Sequence, residues 1–220
     1  MQEKLLRAKE LAEIEPELAL RLCNEVLEDD FDNDMALFIQ GYILMSSEKF
    51  GMAYNMFQRC AQMRPTQTEI WNNMGMCLEV DYPDRAMQEF DEALRLNPKN
   101  HHAMINKGLM HLKRAEPEKC VKLCNDALKL DPNSRAAHDN KAQGLLMLRE
   151  WAQGWDEYTH SWGGKHRRKR DFGLPEWTGQ KDARVIVYAE QGLGDEILFG
   201  SCIPDLQAIS KQVIVECDRD

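Results

Sequence analysis

The 220 residues carry 28 Lys and Arg against 37 Asp and Glu, a formal charge of −9, with 43% apolar and 30% charged residues. That balance fits a folded chain with a sizeable core, and it argues against nucleic-acid binding, which needs a basic face. No run approaches the ~18 apolar residues of a membrane span, and Met1-Gln2-Glu3-Lys4 lacks the apolar stretch of a secretory signal. Seven cysteines, an odd count, fit reduced thiols in a cytoplasmic protein better than a disulfide framework.

Taken in chain order, the predicted elements are helical hairpins. An acidic first unit, 1–33, keeps Ala19 and Cys23 but lacks the glycine found in the units after it. Units 34–67, 68–100 and 101–134 follow, and a last one, 135–162, ends in an aromatic-rich helix with Trp151, Trp155, Tyr158 and Trp162. Their register rests on columns of residues 33 or 34 apart. Gly41, Gly75, Gly108 and Ala142 form one column, and Ala53, Ala86, Cys120 and Gly154 a second. Phe57, Phe90, Cys124 and Tyr158 form a third, and Cys60, Ala93, Ala127 and Ser161 a fourth. Pro65, Pro98 and Pro132 close successive units, because proline cannot continue a helix. The third unit is one residue short, near Tyr82-Pro83.

These columns are those of the tetratricopeptide repeat (TPR), clearest in Trp71-Asn72-Asn73-Met74-Gly75 followed by Ala86, Phe90, Ala93 and Pro98. The fold class expected is mainly α: a right-handed superhelical solenoid over 1–162, whose small residues let paired helices approach. Each hairpin has an apolar face that it cannot bury alone, so stacking creates the core. Cys120 and Cys124, four apart, fall in packing columns and read as core rather than as metal ligands. His101-His102 opens a unit and reads as surface capping. No metal and no cofactor is expected.

One column exceeds what packing requires. Asn73, Asn106 and Asn140 are 33 and 34 apart, at the sixth position of three successive first helices. Asparagine is a mediocre residue inside a helix, since its side chain competes with the backbone. A repeated amide can pair with the N–H and C=O of an extended peptide whatever its sequence. The column resembles the asparagine ladder in the TPR domain of O-GlcNAc transferase, which implies a partner protein or extended peptide in the groove. The alternative is that these amides hydrogen-bond between neighbouring repeats.

After Trp162 the composition changes. An irregular linker, 163–180, holds the basic run Lys165-His166-Arg167-Arg168-Lys169-Arg170, which is either a solvated connector or a site for an acidic surface. Over 181–220 the pattern is α/β: a buried strand at Val185-Ile186-Val187-Tyr188-Ala189, a glycine turn, a helix with apolar residues from Ile197 to Ile209, and a second strand from Val213. This is a short, incomplete Rossmann-like βαβ segment. Gly192 and Gly194 begin a dinucleotide fingerprint, but Ile197 replaces its third glycine, and Asp195 and Glu196 would repel a pyrophosphate.

Pro175-Glu176-Trp177-Thr178-Gly179 and the loop Gln191-Gly192-Leu193-Gly194-Asp195 resemble the linker and acceptor loop of bacterial TPR-containing glycosyltransferases related to heptosyltransferases. The resemblance implies an acceptor-side loop at Gln191, Gly192 and Gly194, with Asp195 as base or acceptor anchor; the alternative for Asp195 is a helix N-cap. It also implies a second nucleotide-sugar-binding domain that these residues do not include. The expectation is therefore a protein- or peptide-binding scaffold fused to the start of a glycosyltransferase-like fold, transferring no sugar by itself. A nucleotide sugar is expected only where a second domain is supplied. The alternatives are a fragment or subunit of an active transferase, or a docking component of a larger assembly. Neither a nucleic acid nor a membrane is expected as a partner.

Overall fold

The structure is a computed structural model, and it describes residues 1–160, 173–175, 177–188 and 202–216. The chain divides into two compact units, Met1–His160 and Ser161–Asp220.

The first unit is built of helices in antiparallel succession: α1 (Gln2–Leu11), α2 (Pro16–Asp29), α3 (Asp34–Ser46), α4 (Phe50–Met63) and α5 (Thr68–Leu78). They are followed by α6 (Pro83–Leu96), α7 (His101–Lys113), α8 (Pro117–Leu128), α9 (Arg135–Met147) and α10 (Trp151–His160). Local chemistry sets the boundaries. Pro16, Pro83 and Pro117 occupy the first turn of α2, α6 and α8, where a missing N–H costs nothing. Asn33 caps α3 by accepting from the Ala36 N–H at 3.0 Å, and Asn100 caps α7 through Ala103 at 3.1 Å. Each such cap stabilises its helix by about 1 kcal/mol. Capping at the start of α7 therefore falls to Asn100 rather than to the adjacent histidine pair.

The hairpin turns explain the missing residue of the third repeat. Glu48, Ala115 and Arg149 take left-handed conformations, with φ of 59°, 56° and 65°. In each case the next N–H reaches back to close the preceding helix: Lys49 to Leu44 at 2.8 Å, Glu116 to His111 at 2.9 Å, Glu150 to Leu145 at 2.9 Å. This is the Schellman closure, which satisfies orphaned helix carbonyls. Helix α5 has 11 residues where α3, α7 and α9 have 13. Its turn closes instead with Tyr82 N–H on the Leu78 carbonyl at 2.8 Å, and no residue from 79 to 82 has positive φ.

The packing columns are visible as contacts. Phe57 and Phe90 are fully buried, and their rings lie against Gly41 and Gly75. A Cβ added there would meet ring carbon Cε1 at 2.7 Å and 2.5 Å respectively. At Gly108 the neighbour is the Cys124 sulfur, 3.4 Å from such a Cβ. The ring therefore demands glycine opposite it, and the thiol relaxes that demand. Ala142 fills the same column in the last repeat, and it too is buried.

The second unit holds β1 (Arg184–Tyr188), α11 (Ile203–Ile209) and β2 (Gln212–Glu216). The strands pair in parallel, with Val185 opposite Val213 and Val187 opposite Val215. Val185 is buried, but Ile214 and Val215 remain about half exposed. Among its described residues, this unit shows a small two-stranded parallel sheet and one short helix. Residues 161–172 and 189–201, including the basic run and the glycine loop, lie outside the described residues, as does Glu176.

Candidate peptide-binding face

In the first helix of each hairpin, burial leaves one stripe uncovered. Helix α5 buries Ile70, Asn72, Met74, Gly75, Cys77 and Leu78, while Glu69, Asn73 and Met76 keep solvent contact. Helix α7 buries Ala103, Ile105, Gly108 and Met110 and leaves His102, Asn106, Leu109 and Lys113 at least partly open. Spacings of three and four put each set on one helix face. In α3 the position in register with Asn73 is the buried Ile39, and the residues left partly open are Met35, Phe38, Tyr42 and Met45, an apolar and aromatic stretch. In α9 the register position is the buried Asn140, and Ala136, Asp139, Gln143 and Met147 are partly open. The stripe thus runs from apolar in α3 to amide-bearing in α5 and α7.

Polar ties hold neighbouring stripes in register. Asn106 Nδ2 donates to Asn72 Oδ1 at 2.9 Å, and Lys113 forms an ion pair with Glu79, in each case 34 residues away. Asn100 Nδ2 donates to the Thr68 hydroxyl at 3.0 Å within the buried layer. Near the start of the array, Gln40 Nε2 donates to Asn24 Oδ1 at 2.6 Å and the Tyr42 hydroxyl donates to Glu13 Oε1 at 2.9 Å. The hydrogen bond to Glu13, aided by partial burial, raises the Tyr42 phenol above its ordinary range.

The three asparagines of the predicted column do not share one environment. Asn73 and Asn106 are half-buried on the stripe, and both lie against Asn72. Asn140 is buried, and its Nδ2 donates 3.2 Å to the Ile105 carbonyl of the preceding repeat. Its own carbonyl accepts from the Cys120 thiol at 3.4 Å. Asn140 is therefore a tie between repeats, and its amide is not offered to a partner. Gln191, Gly192, Gly194 and Asp195 lie outside the described residues.

Two features had no clear sign in the sequence. Asn72 is a buried amide at a position where α3 and α7 carry Phe38 and Ile105 and α9 carries Asp139; an amide between two apolar neighbours in the column was its one signal. At the end of the array, Glu157 of α10 accepts from His138 Nδ1 and pairs with Lys141, each at 2.6 Å. Burial works against the carboxylate there, but the hydrogen bonds from Lys141 and His138 outweigh it and hold Glu157 below the usual range.

The five cysteines of the helical unit are buried and behave as packing residues. Burial pushes the Cys23 and Cys60 thiols up to about 11 and that of Cys77 to about 12, far from nucleophilic thiolates. The Cys120 and Cys124 sulfurs are 3.9 Å apart, and the contact with Cys120, together with burial, raises Cys124 further. Among the described residues, no group of three or more His, Cys, Asp or Glu side chains is placed to hold a metal. No helix among them is long and apolar enough to cross a membrane.

Comparison with known proteins places this geometry in a class. No family model matches the chain. It is 29% identical over 150 residues to Protein FlbA of Caulobacter vibrioides, which covers 64% of this chain and 25% of that protein. It is 23% identical over 145 residues to the UDP-N-acetylglucosamine–peptide N-acetylglucosaminyltransferase of Giardia intestinalis, covering 60% of this chain and 10% of the enzyme. The chain thus spans a quarter or less of the length of these curated relatives. Among solved structures, TTC0263, a TPR protein of Thermus thermophilus, superposes with a TM-score of 0.63 at 16% identity, covering 73% of this chain and 89% of that one. YrrB, described as a TPR protein with an unusual peptide-binding site, gives 0.55 at 17% identity over 72% and 82%. The helical unit is a tetratricopeptide-repeat solenoid.

Proposed function

We propose that the helical unit is a scaffold that holds an extended segment of a partner protein along the stripe of its first helices. The observation that carries this reading is the pair Asn73 and Asn106. Both amides are half-exposed on the stripe, one repeat apart, and keep hydrogen-bonding atoms with no partner among the described residues. Such amides match peptide N–H and C=O groups irrespective of side chains. The apolar stripe of α3 supplies a neighbouring surface for a side chain of the bound segment. The peptide-binding site named for YrrB supports the same reading by analogy of fold.

The experiment is a panning of random dodecapeptides displayed on phage against the whole chain and its Asn73→Ala/Asn106→Ala variant. Peptides enriched on the native chain should lose most of their binding to the variant, while its far-UV dichroism stays unchanged and its stability falls by no more than about 1–3 kcal/mol, the cost of losing the Asn106–Asn72 tie. Equal binding to both proteins, or no enrichment on the native chain, sinks the proposal.

A second reading is favoured by the parallel β1–α11–β2 arrangement, which agrees with the opening of a Rossmann-like domain, and by the similarity to the Giardia transferase. On this reading the chain is the acceptor-side part of a glycosyltransferase, with Asp195 as base or acceptor anchor and the donor site supplied elsewhere. Transfer from a panel of nucleotide sugars, measured with a longer polypeptide containing these residues and with its Asp195→Asn form, is the check. Equal rates for the two remove the role of Asp195, and no turnover by either removes the reading.

A further inference from the structure

The geometry points to Asn72 as the residue that decides what Asn106 recognises, an inference that rests on the peptide-binding reading of this face. Asn72 is 7% exposed, and a buried amide is costly unless its polar atoms are paired. Its Oδ1 is well paired, taking the Asn106 Nδ2 at 2.9 Å. Its own Nδ2 makes long contacts, 3.5 Å to Asn73 Oδ1 and 3.6 Å to Met76 Sδ.

An asparagine amide carries its donors on one limb and its acceptor on the other. Asn106 spends one N–H of its donor limb on Asn72, which fixes the amide's orientation and leaves its Oδ1 limb wholly without a partner among the described residues. Reversing the amide would set two carbonyl oxygens against each other at a site closed to water on the Asn72 side. Asn72 is thus a positioning residue that presents Asn106 as an acceptor. At this step the groove takes a hydrogen-bond donor: the backbone N–H of an extended residue other than proline. A carboxylate or phosphate, which only accepts, is refused at the same place.

The test uses the best dodecapeptide from the panning as probe, with each backbone N–H replaced in turn by N-methyl. On the native chain, one position should lose about fivefold to tenfold in affinity, the worth of one net hydrogen bond. In Asn72→Leu, whose side chain is apolar like Phe38 and Ile105 at the same position of the neighbouring repeats, that difference should shrink below about twofold. Asn72→Asp keeps the acceptor for Asn106 and should restore the difference. A side-chain readout needs no probe: the Asn106 amide protons should exchange with solvent more slowly in the native chain than in Asn72→Leu. A methyl scan with no sensitive position, or the same profile in native and Leu forms, overturns the inference while leaving peptide binding intact. Fast exchange at Asn106 in the native chain also overturns it, even if the Leu variant fails to fold. A panning that enriches nothing overturns the peptide-binding reading instead.

Discussion

Gly75 and Gly108 occupy one column, yet a methyl group added to each should have opposite effects. At Gly75 the new Cβ would stand 2.5 Å from Phe90 Cε1, 2.7 Å from Cδ1 and 2.8 Å from Cζ. Phe90 is fully buried, as is Ala86 one turn before it, so the ring cannot swing aside. Overpacking of this kind costs about 1–3 kcal/mol, and the better helix propensity of alanine returns about 1 kcal/mol. Gly75→Ala should therefore destabilise the array by up to about 2 kcal/mol. At Gly108 the nearest atom is Cys124 Sγ at 3.4 Å, an ordinary contact. The propensity gain then dominates, and Gly108→Ala should be neutral or stabilising by up to about 1 kcal/mol. Urea melts followed by far-UV dichroism compare the two. A further arm shrinks the ring: Phe90→Cys in the Gly75→Ala background should cost less than the two changes summed, a coupling of about 1 kcal/mol or more. If the two alanine variants shift the midpoint equally, the ring-against-glycine account of the column fails.

Three further outcomes follow from particular contacts. Ala115 holds φ of 56°, a conformation that strains residues bearing a Cβ, so Ala115→Gly should raise the melting temperature, with a gain of about 1 kcal/mol; a lowered melt refutes this. Asn140→Ala removes the second donor to the Ile105 carbonyl, which keeps its own helix hydrogen bond, and should cost about 1 kcal/mol in urea, whereas Asn73→Ala should stay within about 0.5 kcal/mol; equal losses would contradict the assignment of Asn140 as a tie. The Glu157 carboxyl is depressed in the folded state, so the unfolded chain binds the proton more readily, and the stability it contributes is present above the ordinary glutamate value of about 4.3 and lost as pH falls through the lower folded value. Glu157→Gln should flatten that acid limb in melts between about pH 3 and about pH 7; an unchanged slope refutes the contribution.

The solenoid was legible in the sequence because its columns answer to short-range sterics. Glycine faces phenylalanine, alanine lies between helices, and proline stands where a helix cannot continue. The one-residue deficit near Tyr82 was legible as a count, but its consequence was not. The remedy was a shorter α5 and a turn without left-handed backbone, and both depend on how the hairpin closes in three dimensions. The asparagine column was read as uniform because spacing alone cannot distinguish an amide on the open stripe from one turned toward the next repeat. Asn140 is covered by residues far away in the chain, while Asn73 and Asn106 are not. Asn72 escaped notice for a related reason: its importance lies in what it does to a neighbour 34 residues on, and no local pattern records that.

Asn106 with Asn72, Lys113 with Glu79, Asn140 with Ile105 and Asn100 with Thr68 share one property: each reaches a single hairpin back and no further. Wiring of this range confines the effect of adding or removing a whole module to the one junction where it enters or leaves, because every other junction keeps the partner it already had. The span of partner that the array can cover is then set by gene duplication rather than by redesign of a core.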